Sequence, residues 1–417
     1  MHLSQFGRLL AQDSSIVQLM EDLGEALSRN PRILFLGGGN PAQVPEAQTS
    51  FHRHLQALAQ DPVASARTLG VYAGPQGDEV CLRALAQYLF KECGWPVSQE
   101  NLALVNGSQL AFFILLNGFA GPDGRGGLRQ AVLPLVPEYL GYSAQGLHTD
   151  FFRATRPLIQ LTGDHRFKYQ LDFDHLDLSG AGAICLSRPT NPSGNCLTDA
   201  EVQRLLELAR AANIPLIVDL AYGTPFPGLI YESRDTRWQP GMISVLSLSK
   251  LGLPGVRTAV VVADPQVIEY VARANTIMSL ASGNLGAALL ERLIASGDLQ
   301  HLSQIVLPGF YRRRRDFLVS LLDKELKGLP YRLHEPEGAF FLWLWLEGLP
   351  VSATQLYESL KAQGVLLMAG ESFFFHWAEH WDHARECMRL TYCQPEAVLE
   401  QAVQILGREL RALYGAV

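Results

Sequence analysis

The run Ser247-Leu-Ser249-Lys250, continued by Leu-Gly-Leu-Pro-Gly-Val-Arg257, sets a lysine just past the apolar stretch Ile243 to Leu246. A lysine at the end of a buried strand has a partly neutral amine, which Schiff-base formation with an aldehyde requires. Ser247 and Arg257 flank it at spacings suited to a phosphate, the serine by hydrogen bond and the arginine by fork-shaped charge pairing; Ser249 stands in the same turn. Most Ser-x-Ser-Lys strings are solvated loops, so the case rests on what else falls at equivalent places.

Asp219 follows Ile214-Pro-Leu-Ile-Val218, where a carboxylate can pair with a protonated pyridine nitrogen and keep that ring an electron sink. In isolation it reads equally as a turn or cap aspartate. Tyr222 and Asn191, the latter in Arg188-Pro-Thr-Asn-Pro-Ser-Gly194, can hydrogen-bond a phenolate oxygen on such a ring, although Asn-Pro-Ser-Gly is also an ordinary turn. Asn106-Gly107-Ser108-Gln109 opens an apolar helix behind the strand Leu102 to Val105, a helix terminus that suits an anion. Tyr139 can stack on a ring face, or serve as core. Arg389 lies in the apolar run Cys387 to Tyr392, where a buried guanidinium calls for an anion such as an α-carboxylate, and Gly39 in Leu36-Gly-Gly-Gly-Asn-Pro41 would let backbone approach the same carboxylate.

These residues need elements that bring them together. Short apolar runs at 102–105, 131–135, 183–186, 216–218, 243–246 and 258–262 alternate with amphipathic segments, the rhythm of βαβ units around a parallel sheet covered on both faces. Asp199 to Ala212 carries apolar residues at helical spacing behind a Thr198/Asp199 cap signal. The carboxyl ends of such strands are where open α/β sheets bind ligands, and most of the candidates fall there. After about Asn284 the pattern changes to long helices and then the buried run Gly338 to Leu346, which reads as a second, α+β unit. Gly121 to Gly127 is a turn-rich surface loop.

A chain of 417 residues suggests two globular units, and a net charge of -7 argues against a nucleic-acid partner. The six cysteines show no Cys-x-x-Cys pair, so reduced thiols in a cytoplasmic protein are expected. Neither an export signal nor a membrane span is visible.

In this order along the chain, the set resembles the fold type I, aspartate-aminotransferase superfamily of pyridoxal-phosphate enzymes. Longer strings, Leu36 to Gln43, Tyr72-Ala-Gly-Pro-Gln-Gly77, Arg188 to Asn195, Ala221 to Gly228 and Pro336 to Trp345, are similar to a bacterial branch that passes the amino group of valine to pyruvate. The resemblance implies pyridoxal phosphate as cofactor, amino acids and 2-oxo acids as substrates, and Lys250 carrying the proton at the substrate Cα in a ping-pong exchange. It implies a homodimer in which Tyr72 reaches the phosphate held by the neighbouring subunit. The fold expected is α/β, with a large cofactor-binding domain over 48–290, its mostly parallel sheet between helices, and a smaller α+β domain built from both chain ends, 1–47 together with 291–417.

Two departures stand out. Arg257 is one residue nearer the lysine than in many members, which should leave its role intact. The segment Phe373-Phe-Phe-His-Trp-Ala-Glu-His-Trp-Asp-His383 replaces the Pro- and Gly-containing loop expected before Arg389. His376, His380 and His383 have helix-compatible metal spacing, but no His-Glu-x-x-His and no separate ligand set accompany them, so a mobile aromatic loop beside the substrate is expected rather than a metal. Arg312 to Arg315 reads as a solvated helix face. The segment Thr276 to Gly286 has no basic residue for a second substrate carboxylate, although Arg273 or Arg32 could supply one. Rival readings are a lyase or ring-forming synthase on the same cofactor, and a regulator with an aminotransferase-like module, which would need a DNA-binding segment that is not evident.

Overall fold

Five strands of the first unit are wholly buried, at Leu102–Val105, Ala181–Ser187, Leu216–Asp219, Met242–Ser247 and Ala259–Val262. Continuous rather than alternating burial follows from helices on both faces of one sheet. The computed structural model describes residues 2–11, 17, 24, 28, 33–377 and 381–415. Its larger sheet has eight strands, in the order 102–105, 259–262, 242–247, 216–219, 181–187, 128–133 and 121–122, with Phe152–Ala154 added beside Leu128–Leu133. The strands from 152–154 through 242–247 run parallel, whereas Ala259–Val262 is antiparallel to both its neighbours. The 121–127 loop is a small hairpin, since Gly121–Pro122 pairs antiparallel with the start of Leu128–Leu133.

The helix Asp199–Ala211 starts where its cap signal predicts: Thr198 Oγ1 accepts the Glu201 N–H, and Glu201 reaches back to the Thr198 backbone. Its buried face is Val202, Leu205, Leu206 and Ala209.

A second sheet of six strands runs in the order 368–369, 387–391, 341–346, 331–334, 166–170 and 158–163. Residues 158–170, from the middle of the chain, thus contribute a hairpin to the sheet otherwise built from the carboxyl-terminal third. The long helices Leu307–Glu325 and Glu396–Tyr414 pack together beside it. The basic run lies on the first of these, but it is not a purely solvated face: Arg314 donates to the Gln394 carbonyl, and Arg315 lies over the Tyr231 ring and donates to the Pro336 carbonyl. Leu34–Phe35 pairs parallel with Val365–Leu366, and Thr391 N donates to the Leu36 carbonyl. This junction suspends the Gly37–Gly39 run at the mouth of the first sheet.

All six cysteines are free. Among the described residues no helix is long and apolar enough to cross a membrane.

Candidate active site

Cross-strand register explains why residues distant in sequence share one cavity. Asp219 lies opposite Ser187 on one side and Val245 on the other, so the turns that follow each strand end at the same edge. That edge holds a cavity of about 430 Å³ whose described lining includes Gly39, Ser108, Gln109, Tyr139, Asn191, Asp219, Tyr222, Ser249, Lys250, Arg257 and Arg389. Three cations and one carboxylate face it, so it favours anionic ligands.

Lys250 Nζ donates to the Gly39 carbonyl at 2.6 Å and sits 5.5 Å from the Tyr222 ring centre. Burial draws its pKa down to about 8, helped by Arg389 and Arg257 and opposed by Cys393 and Asp219, so a useful share of the amine is neutral near physiological pH. Asp219 is buried, and its oxygens accept from Ala221 N at 2.8 Å and from the Tyr142 hydroxyl at 2.9 Å. Burial outweighs those bonds and pushes its pKa up to about 6. Both hydrogen-bond donors are neutral, which leaves the carboxylate suited to a cationic N–H from a ligand. Tyr142 was not singled out in the sequence, although its spacing of three from Tyr139 puts both on one turn; the two rings meet edge to face at 5.3 Å.

Arg389 is buried in the strand Cys387–Thr391, and among the described residues no carboxylate pairs with it. Its Nη1 donates to Asn191 Oδ1 and its Nη2 to the Gly37 carbonyl, each at 2.7 Å, while Nε has no partner among the described residues. The guanidinium lies 4.1 Å from the Phe341 ring centre and 5.2 Å from that of Phe373, and burial lowers its pKa to about 10. A buried cation held in place by neutral groups is a receptor for an incoming carboxylate.

At the opposite end, the helix Ser108–Phe119 begins without a side-chain cap, leaving its first N–H groups to a ligand. Gly107, its N-cap, has φ +91°, and a Cβ there would come within 2.3 Å of Arg257 Nη2. Only glycine allows the helix terminus and the guanidinium to approach this closely.

Of the residues expected to hold the cofactor, Gly107, Ser247 and Tyr72 are not among those that line the cavity. Ser247 is the last residue of its strand, one position further along than the apolar run indicates; its hydroxyl accepts the Ser249 N–H at 3.2 Å, and it is not among the lining residues. Tyr72 is 79% exposed and borders a surface hollow with Asn106 and Ala281–Asn284. Arg273 is exposed, pairs with Glu269 and does not line the cavity; Arg32 lies outside the described residues.

The aromatic segment flanks the site, and its described part is packed against the second sheet. Phe373 and Phe374 are fully buried against Trp343, and Trp377 Nε1 donates to the Ala154 carbonyl. His383 is turned inward, its Nε2 2.5 Å from the Tyr169 hydroxyl, whereas the His376 side chain and His380 lie outside the described residues. No group of three metal-ligating side chains occurs among the described residues.

The donor set fits pyridoxal phosphate: the helix terminus and Arg257 for phosphate, Asp219 for the ring nitrogen, Lys250 for the aldehyde and Arg389 for a substrate carboxylate. Comparison with known proteins agrees. The valine–pyruvate aminotransferase of Escherichia coli (strain K12) is 42% identical over 98% of both chains. The crystal structure of valine–pyruvate aminotransferase from Salmonella typhimurium LT2 superposes with a TM-score of 0.88 at 40% identity, covering 97% of this chain and 100% of that one. A multiple substrate aminotransferase from Thermococcus profundus shares the fold, with a TM-score of 0.80 at 23% identity over 100% of this chain and 98% of its own. The model of aminotransferase class I and II matches residues 146–406, a span that takes in Asn191, Asp219, Lys250, Arg257 and Arg389, and the chain therefore belongs to that family.

Proposed function

We propose that the protein is a pyridoxal-phosphate-dependent aminotransferase that moves the amino group of valine to pyruvate, yielding 3-methyl-2-oxobutanoate and alanine. The observation that carries this reading is the pairing of Lys250 with the Gly39 carbonyl and of Arg389 with the Gly37 carbonyl, two residues apart on one wall. A carboxylate taken by Arg389 leaves its α-carbon within the part of the cavity that Lys250 serves. When bound, the cofactor supplies an electron-withdrawing ring that delocalises the electron pair left at the substrate Cα. Lys250, with its lowered pKa, takes and returns the proton at that carbon. Asp219, braced by Tyr142 and Ala221, holds a proton at the ring nitrogen. Asn191 and Tyr222 line the same cavity and would hydrogen-bond the oxygen on the ring. Amino acid and oxo acid use the same cavity in turn.

Donor choice follows from what the remaining wall lacks. Phe35, Leu140, Ala221 and glycines make up most of the remaining lining, with Asn40 and Ser187 as neutral polar groups, and the described cations are all committed to other tasks. An aspartate or glutamate side chain would leave its second carboxylate poorly paired, a cost of several kcal/mol. Apolar contacts discriminate less, roughly 1–3 kcal/mol per methylene, so valine should be favoured modestly over alanine.

A homodimer is part of this reading. Val63, Leu69, Val71, Tyr72, Ile277 and Leu280 are all more than half exposed, and Asn284 ties their two segments together through the Val71 carbonyl at 2.7 Å. An apolar surface of this kind suits a second copy of the chain, with Tyr72 extended toward the neighbouring cofactor. Six free cysteines suit a reducing, cytoplasmic setting.

The test is a matrix of valine, alanine, aspartate and glutamate against pyruvate and 2-oxoglutarate, with the product amino acids identified. Valine with pyruvate should lead in kcat/KM. Aspartate or glutamate matching valine would overturn the specificity, and release of ammonia without a new amino acid would overturn the aminotransferase reading.

A further inference from the structure

Glu138 is a second buried carboxyl group beside the site, only 2% exposed, and among the described residues none of its hydrogen-bond partners is a cation. Its Oε1 accepts the Ser187 N–H at 2.6 Å; its Oε2 accepts the Ser187 hydroxyl at 2.7 Å and the Tyr139 N–H at 2.9 Å. Its own N–H donates to the Phe373 carbonyl at 3.0 Å. Each partner belongs to a different wall. Tyr139 lines the cavity as the candidate stacking ring, Ser187 lines it as the strand neighbour of Asp219, and the Phe373 ring lies beside Arg389.

Burying a carboxyl group without a cation is expensive, and the expense is tolerable where that group satisfies backbone donors that would otherwise be orphaned. We propose that Glu138 is a positioning residue: one side chain that sets the Tyr139 ring, the Ser187 end of the strand beside Asp219 and, through its backbone, the Phe373 wall behind Arg389, so that cofactor and substrate are held in mutual register. The arrangement survives a change of protonation. An ionised Glu138 accepts all three bonds, and a protonated one donates from Oε2 to the Ser187 hydroxyl while still receiving both backbone N–H groups. Burial, reinforced by the negative charge of Asp219, pushes its pKa up to about 8, so both forms are available near neutrality.

An amide cannot replace it. In Glu138→Gln the NH₂ group must face either the Ser187 N–H or the Tyr139 N–H, donor against donor, and one backbone group loses its partner. The inference rests on the pyridoxal phosphate reading of the cavity, and the experiment separates the two.

Purified parent, Glu138→Gln and Ser187→Ala proteins are compared by hydrogen exchange without cofactor, by titration with pyridoxal phosphate followed by visible circular dichroism, and by steady-state kinetics. For Glu138→Gln the expected results are faster exchange at both 137–142 and 371–375, a cofactor Kd raised about tenfold, an altered visible dichroic band, and a kcat lowered at least tenfold with the donor KM also raised. Ser187→Ala, which removes one of the three bonds and preserves the fold if the glutamine variant does not, should shift the same quantities about two- to fivefold. A parent that takes up no pyridoxal phosphate overturns the cofactor reading and the inference with it. A parent that binds it, and variants that match the parent within twofold in Kd, dichroism and kcat, overturn the inference alone, even if their melting temperatures fall.

Discussion

Asp219 and Lys250 show how one cavity turns burial into chemistry. Each is pushed toward its neutral form by desolvation, yet the proposed reaction needs Asp219 ionised and Lys250 able to exchange a proton. Lys250→Ala should therefore abolish turnover while leaving the Arg257 end of the site able to bind phosphate. Retained turnover in that variant, measured as alanine formed from valine and pyruvate, would sink the assignment. Asp219→Asn should weaken cofactor binding and lower kcat more than a hundredfold with little change in donor KM, because the lost anion acts in the transition state. The same substitution carries a stability signature of defined sign. Asp219 has a folded pKa of about 6 against an ordinary value of 3.8, so its ionisation opposes folding by a penalty that is absent below 3.8, grows as pH rises to about 6, and is full above that. At about 1.4 kcal/mol per pH unit this amounts to about 3 kcal/mol. The amide side chain of the Asp219→Asn variant can still meet Ala221 N and Tyr142, so the cofactor-free variant should melt above the cofactor-free parent at pH 8 and level with it near pH 4. A variant less stable than the parent at both pH values would mark Asp219 as a structural cap instead.

At the scale of elements, the parallel strands were legible because strands buried on both faces leave continuous apolar runs, and the turns after them collected Asn191, Asp219, Lys250 and Tyr139 at one edge. The hairpin 158–170 was not, since its first strand, Leu158–Gly163, is largely exposed, shows no clean alternation of apolar and polar residues, and gains its place only by pairing with Arg166–Gln170, which joins a strand more than 160 residues away. Glu138 and Tyr142 were hidden for a similar reason: their roles depend on partners supplied by other strands, and an isolated Glu or Tyr carries no such signal. Two element-level outcomes follow. Gly107→Ala puts a methyl group against Arg257 at a backbone angle that alanine adopts poorly, so it should raise the cofactor Kd by more than tenfold while the melting temperature without cofactor changes by only a few degrees. Equal loss in both would mean the helix start is structural only. In the second sheet, His334 and His383 are both buried, and burial takes their pKa values down to about 3. Their folded values lie below the ordinary 6.5, so their contribution to stability is complete above pH 6.5 and is lost as pH falls from there toward 3, about 2 kcal/mol each at pH 5. Hydrogen exchange measured from pH 7 to pH 5 should open Arg166–Gln170 and Tyr331–His334 before the strands of the larger sheet; uniform opening would remove the histidines from that account.

The whole molecule poses a question that one chain cannot answer by itself, because three expected residues are missing from the cavity lining: Gly107, which adjoins it as the N-cap of the helix that begins at Ser108, Ser247 and Tyr72. Ser247 has a local explanation in its bond to Ser249, but Tyr72 has none: it is 79% exposed, as Val63 and Leu69 are at 81% each and Ile277 at 87%. Single exposed apolar residues are ordinary on a protein surface, whereas several on two segments, one of them tied by Asn284 to the Arg67 and Val71 carbonyls, are what a partner surface would cover. A two-fold dimer would cover them with a second copy and would carry each Tyr72 toward the other subunit's phosphate end, where the helix terminus at Ser108 and Arg257 wait. Two variants separate assembly from contact. Leu69→Asp combined with Ile277→Asp places two charges in the surface that would be buried, and should convert the dimer to a monomer in light scattering while cofactor affinity falls with it. Tyr72→Phe should remain a dimer and lose only one hydrogen bond to phosphate, a change of about five- to twentyfold in Kd. A parent that is monomeric at working concentration and fully active would overturn the proposed dimer. A dimer in which Tyr72→Phe binds the cofactor as tightly as the parent would leave the assembly standing and remove Tyr72 from the site.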